Sequence, residues 1–168
     1  MATPELRHML RDDDLNHEEQ KQVLELAIKF HKNRFYHQPF AGPQGIAVIF
    51  DKPSTRTRSS FSIGVAELGG YPLVIDKSGS QLGRGELAKY STHPVVNALT
   101  DEFHPCQILA DFQTIAEHRG GVDNLKNQTI AYLGDAANNM SNSYLLGGAV
   151  AGMNVRVAGP YGYLPDPQ

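Results

Sequence analysis

Short apolar runs that alternate with helix-patterned segments constrain the fold of this chain more than any other feature of its sequence. The segment SFSIGVAEL, for example, places Phe61, Val65 and Leu68 on one face of a helix. The runs predicted to be buried strands are IAVIF, YPLVID, VVNAL, TIAYL and VRVAG. Strands separated by helices are typical of a mostly parallel sheet with right-handed crossovers. We therefore expect an α/β fold in which a parallel sheet carries helices on both faces.

Further helices are predicted at three other places. Asn16 and Glu19 have the spacing of a capping box, in front of a helix expected over residues 17–31. Apolar side chains at helical spacing mark a second helix around Ile108 and Phe112, and a third is expected over residues 140–151. The stretch from TIAYL to VRVAG is therefore predicted to be a strand-helix-strand unit.

Charge and cysteine content narrow the class of protein. A net charge of −3 and an isoelectric point near 6.1 do not favour nucleic acid as a partner. Cys106 is the single cysteine of the sequence, so no internal disulfide can form and a reducing compartment is expected. No apolar stretch is long enough to cross a membrane, and the opening MATPELRHMLRDDDL lacks the apolar centre of a signal peptide. These features predict a soluble, cytoplasmic protein.

The segment FDKPSTRTRSSF follows a predicted strand and opens a predicted helix. In open α/β sheets, ligands collect at this kind of junction, where the helix presents unpaired N–H groups. The hydroxyls of Ser54, Thr55 and Thr57 with the guanidinium of Arg56 are suited to phosphate oxygens. A solvated turn with a helix N-cap explains the same residues equally well. The loop is not a Walker A sequence, so a nucleoside triphosphate is not indicated.

Two more polar segments precede predicted helices. In DEFHPCQILAD, His104 can donate to a carbonyl oxygen, Gln107 can satisfy an amino group, and Cys106 is interpreted as small packing. The plain alternative is a capping His and a surface Gln. In LGDAANNMSNS, neutral amides such as Asn138 and Asn139 suit a zwitterionic amino acid, although a helix cap explains one of them. GDAANN is not GxGxxG, so a dinucleotide is not favoured.

Taken together, these segments resemble the ornithine carbamoyltransferase family over nearly the whole chain. The matching stretches are FDKPSTRTR, SGSQLGRGE, PVVNALTDEFHPCQILAD and LGDAANNMSNS, with RHMLRDDDL and GYLPDP at the ends. The combination of FxKxSTRTR and HPCQ is typical of the carbamoyltransferase superfamily, and NNM after GD favours ornithine as the acceptor. Aspartate carbamoyltransferases share the first two motifs and differ at the acceptor segment, so they are the alternative.

The resemblance implies an enzyme of arginine biosynthesis that transfers the carbamoyl group of carbamoyl phosphate to the side-chain amine of ornithine. The products are citrulline and phosphate, and the direction used in the cell is left open. Catalysis would rest on positioning and on stabilisation of developing charge, without cofactor or metal. The resemblance also implies a homo-oligomer, a trimer with active sites at subunit interfaces.

Site residues follow from the resemblance, motif by motif. The catalytic residues would be His104, which polarises the carbamoyl oxygen, Arg56, which binds phosphate, and Gln107, which holds the carbamoyl amino group. The carbamoyl phosphate site would comprise Ser54, Thr55, Arg56, Thr57, Gln81, His104, Pro105, Cys106 and Gln107. Gln81 would reach the phosphate of a neighbouring subunit, and Asn139 would bind the amino acid end of ornithine.

The resemblance also implies two domains, a carbamoyl phosphate domain over residues 1–124 and the start of a Rossmann-like ornithine domain over residues 125–168. At residues 86–87 the chain departs from the family pattern, because an expected helix, strand and Arg-bearing segment are missing after SGSQLGRGE. That Arg contacts phosphate and carbamoyl oxygen in the family. The family's ornithine-binding Asp and its HCLP loop are missing too. We therefore expect an incomplete enzyme of low activity, with an inactive phosphate-binding remnant as a further alternative.

Overall fold

The computed structural model of the chain describes residues 6–42, 44–50, 54–76 and 86–165. These residues belong to two compact units. The first unit combines Met1–Ile28 with Ser91–Gln168, and the second unit is the intervening Lys29–Tyr90. Helix α1 (His17–Lys32) begins in the first unit and ends in the second. Each unit holds one pair of parallel strands with helices between them, which confirms the predicted α/β class.

The second unit is built on two parallel strands. Strands β1 (Gly45–Phe50) and β2 (Tyr71–Asp76) pair from one end to the other, with Gly45 opposite Tyr71 and Phe50 opposite Asp76. Helix α2 (Thr55–Glu67) connects them and packs against both strands. The helix stops at Gly69, whose φ of +86° lies in the left-handed region that glycine adopts without strain. The short helix α3 (Glu86–Tyr90) ends the unit.

The first unit contains α4 (Pro105–His118), β3 (Thr129–Leu133), α5 (Asn139–Val150) and β4 (Asn154–Ala158), with short 3-10 helices at Asp12–Asp14 and Val122–Leu125. Strands β3 and β4 are parallel and in register from their first to their last residues. Helix α5 connects them and lies close to β4. The approach is so close that a Cβ added at Gly148 would lie 2.3 Å from Val155 Cγ2. This is the predicted strand-helix-strand unit.

The core of the first unit forms where α1, α4 and α5 meet the second 3-10 helix. The buried apolar side chains are Leu24, Ile108, Phe112, Ala116, Leu125, Ala151 and Met153. Ile108 and Phe112 come from α4 and are fully buried, so the apolar face of this helix sits at the centre of the unit. The polar residues at the start of α4 are thereby held on a rigid element.

The predicted helices lie close to their expected bounds. The capping box before α1 is formed as predicted, since the Asn16 N–H donates to Glu19 Oε2 at 3.0 Å and the Glu19 N–H to Asn16 Oδ1 at 2.9 Å. Residues expected to be helical over 17–31 and 140–151 are found in α1 and α5. Within the part of the chain that the structure describes, no helix is long and apolar enough to cross a membrane.

The predicted strand at VVNAL is wrong. Val96 forms an isolated parallel bridge with Met9, through hydrogen bonds on either side of Val96 at 2.9 and 2.7 Å. The pairing stops there because the Asn97 side chain turns to the Leu10 carbonyl and to Thr100 Oγ1. A continuous apolar run needs a neighbouring strand along its length to become a strand, and here the partner is one residue long.

Candidate functional site

The first polar cluster lies where α2 begins, after the carboxyl end of β1. Ser54 is the N-cap residue, with extended backbone, and its Oγ donates to Thr57 Oγ1 at 2.9 Å. The Arg58 N–H donates to the Ser54 carbonyl at 3.0 Å, whereas the N–H groups of Thr55, Arg56 and Thr57 have no intrahelical acceptor. This helix end therefore offers N–H and hydroxyl donors, and the positive end of the helix dipole, to an anion.

The two arginines of the cluster differ in what they contact. Arg58 forms an ion pair with Asp76 at the end of β2, and its guanidinium lies 5.1 Å from the centre of the Phe50 ring. Arg56 is exposed, and its side chain makes no hydrogen bond or ion pair with any residue that the structure describes. Arg58 thus fixes the ends of both strands, whereas Arg56 is exposed at the start of α2.

The second polar cluster lies at the start of α4. His104 is the N-cap residue, and Pro105 takes the first helical position, where the missing N–H costs no hydrogen bond. Burial lowers the pKa of His104, so the imidazole is neutral at pH 7. Its Nδ1 is buried and has no hydrogen-bond partner among the described residues. The ring also makes a hydrogen bond to the Ala98 backbone, which acts against the effect of burial on the pKa. A neutral imidazole has one N–H to donate, so polarising a carbonyl oxygen would require that N–H to turn from Ala98 to the ligand.

The next two residues of this cluster behave differently from one another. Gln107 is exposed, and its Nε2 donates to Asp111 Oδ1 at 2.9 Å, one turn further along α4. The Cys106 thiol donates to the Asn97 carbonyl at 3.6 Å, and burial raises its pKa to about 11. The thiol therefore stays protonated, in keeping with the packing role expected for it.

The third polar cluster lies at the start of α5. Asn138 is the N-cap: its Oδ1 accepts the N–H groups of Met140 at 3.0 Å and of Ser141 at 3.1 Å. Its Nδ2 donates to the Tyr132 hydroxyl at 2.8 Å. Asn138 is thus the one Asn of the segment that a helix cap explains, as the sequence suggested.

The other polar residues at the start of α5 hold the loop that leads into α4. Three contacts make this link: Asn139 Nδ2 to the Thr100 carbonyl at 2.7 Å, Asn142 Nδ2 to the Glu102 carbonyl at 3.1 Å, and the His104 N–H to Ser143 Oγ at 2.8 Å. Within the first unit, the structure therefore joins the HPCQ segment and the NNM segment into one hydrogen-bonded assembly. Asn139 Oδ1 has no partner among the described residues.

Some features of these clusters escaped the sequence analysis. Asp111 could have been found, because it lies four residues after Gln107 on a predicted helix, the spacing at which side chains meet. Ser143 was among the polar residues of LGDAANNMSNS, but its partner could not be predicted, because that partner is a backbone N–H from a distant part of the sequence. Gln81 lies outside the described residues. In the described ranges, no three His, Cys, Asp or Glu side chains come together in a way that could hold a metal ion.

Parallel strands that lead into helices with polar first turns define an α/β protein of the Rossmann-like class. A family model described as aspartate/ornithine carbamoyltransferase, carbamoyl-P binding domain, matches residues 7–87 and 81–117. The chain therefore belongs to the aspartate/ornithine carbamoyltransferase family.

Individual relatives agree with this assignment. The ornithine carbamoyltransferase of Bifidobacterium longum strain NCC 2705 is 80% identical over 193 residues, which covers 98% of this chain and 60% of the relative. The solved ornithine carbamoyltransferase from Pyrococcus furiosus is 36% identical, with a TM-score of 0.85 over 95% of this chain and 59% of that one. The catalytic subunit of M. jannaschii aspartate transcarbamoylase has a TM-score of 0.78 over 96% of this chain and 63% of that one, at 23% identity, and shows the fold alone.

The chain spans about 60% of the length of the curated relatives it matches. The Bifidobacterium longum match extends over 193 residues, more than the 168 residues of this chain, so the relative holds residues inside the matched region that this chain lacks. The two family matches overlap at residues 81–87, the region where the sequence departs from the family pattern.

Proposed function

We propose that this chain binds carbamoyl phosphate and takes part in transfer of its carbamoyl group to the side-chain amine of ornithine, which gives citrulline and phosphate. The observation that carries the proposal is the start of α2. Within one helical turn it offers three N–H groups without intrahelical acceptors, the hydroxyls of Ser54 and Thr57, and the exposed guanidinium of Arg56. The family match over the same residues supports carbamoyl phosphate as the anion.

The phosphate group would be held by Ser54, Thr55, Arg56 and Thr57. Backbone N–H groups and hydroxyls at a helix start bind phosphate oxygens, and the guanidinium adds charge-assisted hydrogen bonds that neutral donors cannot match. Because phosphate is also the leaving group, donors that bind it more strongly as its charge grows stabilise the transition state. Thr57 would lie near the carbamoyl oxygen as well.

The carbamoyl group would be recognised by residues of α4. His104, neutral because burial lowers its pKa, would donate to the carbamoyl oxygen and so make the carbon more electrophilic. The side-chain oxygen Oε1 of Gln107 would accept a hydrogen bond from the carbamoyl amino group. The neutral side-chain amine of ornithine then attacks the carbamoyl carbon and a tetrahedral intermediate forms. It collapses with cleavage of the bond between the carbamoyl carbon and the phosphate oxygen, and the departing phosphate takes the proton that the attacking nitrogen loses. Pro105, Cys106 and Gln81 remain predicted members of the site.

The acceptor would be bound at the start of α5. Asn139 already donates through Nδ2 to the Thr100 carbonyl. Its Oδ1 is therefore the atom that would accept a hydrogen bond from the ammonium group of ornithine. The names of the relatives favour ornithine over aspartate, because the two at 79% and 80% identity are ornithine carbamoyltransferases. A homotrimer and a domain boundary between residues 124 and 125 stay predictions from the resemblance, and a cytoplasmic location stays a prediction from cysteine content and the absence of a long apolar stretch.

A fused protein tests this proposal. It consists of the chain followed by the part of the Bifidobacterium longum relative that lies beyond the matched region. Citrulline formation is measured for the fused protein, for His104→Ala and for the control His118→Ala, which removes an exposed imidazole bound to its own helix at Thr114. The extension is the same in every variant, so any difference comes from this chain's residues.

We expect His104→Ala to lower kcat by about 100-fold to 1,000-fold, the range for loss of one donor to developing negative charge. His118→Ala should stay within about twofold, since its side chain lies at the other end of α4. A His104→Ala variant that keeps the full rate would contradict the proposed role of the start of α4 in catalysis.

A further inference from the structure

The side chain of Asp111 holds two residues from different helices. Its Oδ1 accepts Gln107 Nε2 at 2.9 Å, and its Oδ2 accepts the Tyr144 hydroxyl of α5 at 2.6 Å. Gln107 is exposed, Asp111 is half-buried, and Tyr144 is half-buried beside Phe112 and Tyr132. Asp111 therefore stands between the core of the first unit and the exposed amide of Gln107.

The carboxylate decides which end of the Gln107 amide faces outward. An ionised carboxylate can only accept hydrogen bonds, so the amide must present its Nε2 to Asp111. Its Oε1, at the other corner of the planar group, is then left as the acceptor for a ligand. Without such a partner, a glutamine amide can rotate by 180° and offer donor or acceptor to the same point.

Tyr144 fixes the carboxylate in turn. Its hydroxyl donates to the oxygen that Gln107 does not use, and burial together with this hydrogen bond raises the pKa of Tyr144, so it remains a donor at physiological pH. Its ring packs 6.5 Å from the Phe112 ring, between centroids, which ties the hydroxyl to the buried core. The carboxylate is thus held from the inner side and is free to hold the amide on the outer side.

We propose that Asp111, braced by Tyr144, is a positioning residue that orients the Gln107 amide so that Oε1 selects a ligand with an amino group at this point, as in carbamoyl phosphate. The inference rests on the proposed function, which gives Gln107 the carbamoyl amino group. It adds a specificity determinant, because an acyl phosphate with a methyl in place of the amino group offers Oε1 nothing to accept. Acetyl phosphate is that analogue.

The test is the ratio of two dissociation constants, measured by calorimetry with carbamoyl phosphate and with acetyl phosphate. The variant is Asp111→Asn. Its amide can still form hydrogen bonds with Gln107 and Tyr144, but because it carries both a donor and an acceptor it permits either orientation of the Gln107 amide. We expect the wild-type chain to prefer carbamoyl phosphate by about three- to tenfold, as for one neutral hydrogen bond. Asp111→Asn should bring the ratio close to one by weakening carbamoyl phosphate alone.

The matched control is Glu117→Gln. Gln113 Nε2 donates to Glu117 Oε1 at 3.1 Å with the same spacing on the same helix, so the substitution makes the same charge change at a pair with no proposed ligand. It should leave the ratio unchanged. Asp111→Ala, which gives Gln107 no carboxylate to bond, should show the same reduced ratio, so the test does not depend on one variant.

The outcomes separate the two proposals. A wild-type chain that prefers carbamoyl phosphate, with Asp111 variants that prefer it equally, overturns the positioning role and leaves the proposed function in place. A wild-type chain that binds both ligands equally overturns the role given to Gln107, and the positioning role with it. A purely structural brace would change stability in the Asp111 variants and lower both affinities together, which also contradicts the inference.

Discussion

The backbone N–H of His104 donates to Oγ of Ser143 at 2.8 Å, across 39 positions of sequence. Ser143 is fully buried on α5, and His104 is the N-cap residue of α4. An N–H at a helix start has no acceptor within its own helix, so a serine from another helix supplies one. The position of the imidazole proposed to polarise the carbamoyl oxygen therefore depends on α5 as well as on α4.

Ser143→Ala is expected to lower the free energy of unfolding by about 1–3 kcal/mol, because it leaves the His104 N–H without its acceptor and removes a hydrogen bond to the buried carboxyl of Asp12. Urea denaturation followed by circular dichroism measures this. The control is Thr114→Ala, which removes an exposed hydroxyl bonded to the Ala110 carbonyl of its own helix and should change stability by less than about 0.5 kcal/mol. Equal effects of the two substitutions would contradict the role of Ser143.

Asp12 makes the stability of the first unit depend on pH. Burial raises the pKa of its carboxyl from 3.8 to about 6, and its Oδ2 has no hydrogen-bond partner among the described residues. The folded chain thus binds this proton more tightly than the unfolded chain, so the stabilisation is fully present below about pH 4. It is lost as the pH rises through about 6.

Asp12→Asn, which cannot ionise, should remove this dependence. Between pH 4 and pH 7, the wild-type chain should lose up to about 3 kcal/mol of unfolding free energy relative to the variant, the upper limit set by the pKa shift. Asp13→Asn is the control, since Asp13 is exposed and paired with Arg11. Urea midpoints at both pH values provide the comparison, and parallel pH dependence in wild type and Asp12→Asn would refute this assignment.

Because the chain departs from the family pattern at residues 86–87, we expect insertion of the missing residues there to raise the affinity for carbamoyl phosphate. Placing the extra internal residues of the Bifidobacterium longum relative between Glu86 and Leu87 should restore an Arg contact to phosphate. One charge-assisted hydrogen bond contributes about 1.5–3 kcal/mol, so carbamoyl phosphate affinity should rise about 10-fold to 100-fold. The control is the same insertion with that Arg replaced by Ala, and equal affinities for the two insertions would exclude the Arg contact.

We expect substitution of Asn139 to weaken the binding of ornithine and not that of carbamoyl phosphate. In the fused protein, Asn139→Ala should raise KM for ornithine far more than KM for carbamoyl phosphate, because Oδ1 is proposed to contact the amino acid alone. Asn142→Ala is the control, since it also removes a bond from α5 to the loop before α4. If both substitutions raise both KM values alike, Asn139 acts through the loop and does not bind ornithine.

The elements were predictable wherever local signals agreed with packing. Asn16 and Glu19 predicted the start of α1, and apolar runs separated by helical segments predicted β1, β2, β3 and β4. VVNAL has the same apolar character and fails as a strand, because strand formation depends on a partner that the run itself does not encode. Local pattern therefore predicted the class of fold but not the pairing of each run.

Within the candidate site, residue type was predictable and the contacts were not. The sequence predicted Arg56 as a phosphate ligand but gave no partner for Arg58, which the structure pairs with Asp76 while Arg56 is exposed. That difference arises from the parallel pairing of β1 and β2, which places Asp76 at the same edge as the start of α2. Sequence spacing alone carries no such information.

A calorimetric titration of the chain with carbamoyl phosphate, comparing Arg56→Ala with Arg58→Ala, tests whether the start of α2 binds the phosphate group. These variants make the same change two positions apart, so they separate a ligand contact from general loss of charge. We expect Arg56→Ala to weaken binding by about 10-fold to 100-fold, and Arg58→Ala to lower stability while leaving affinity within about threefold. Equal affinity of wild type and Arg56→Ala would contradict the claim that the start of α2 binds the phosphate of carbamoyl phosphate.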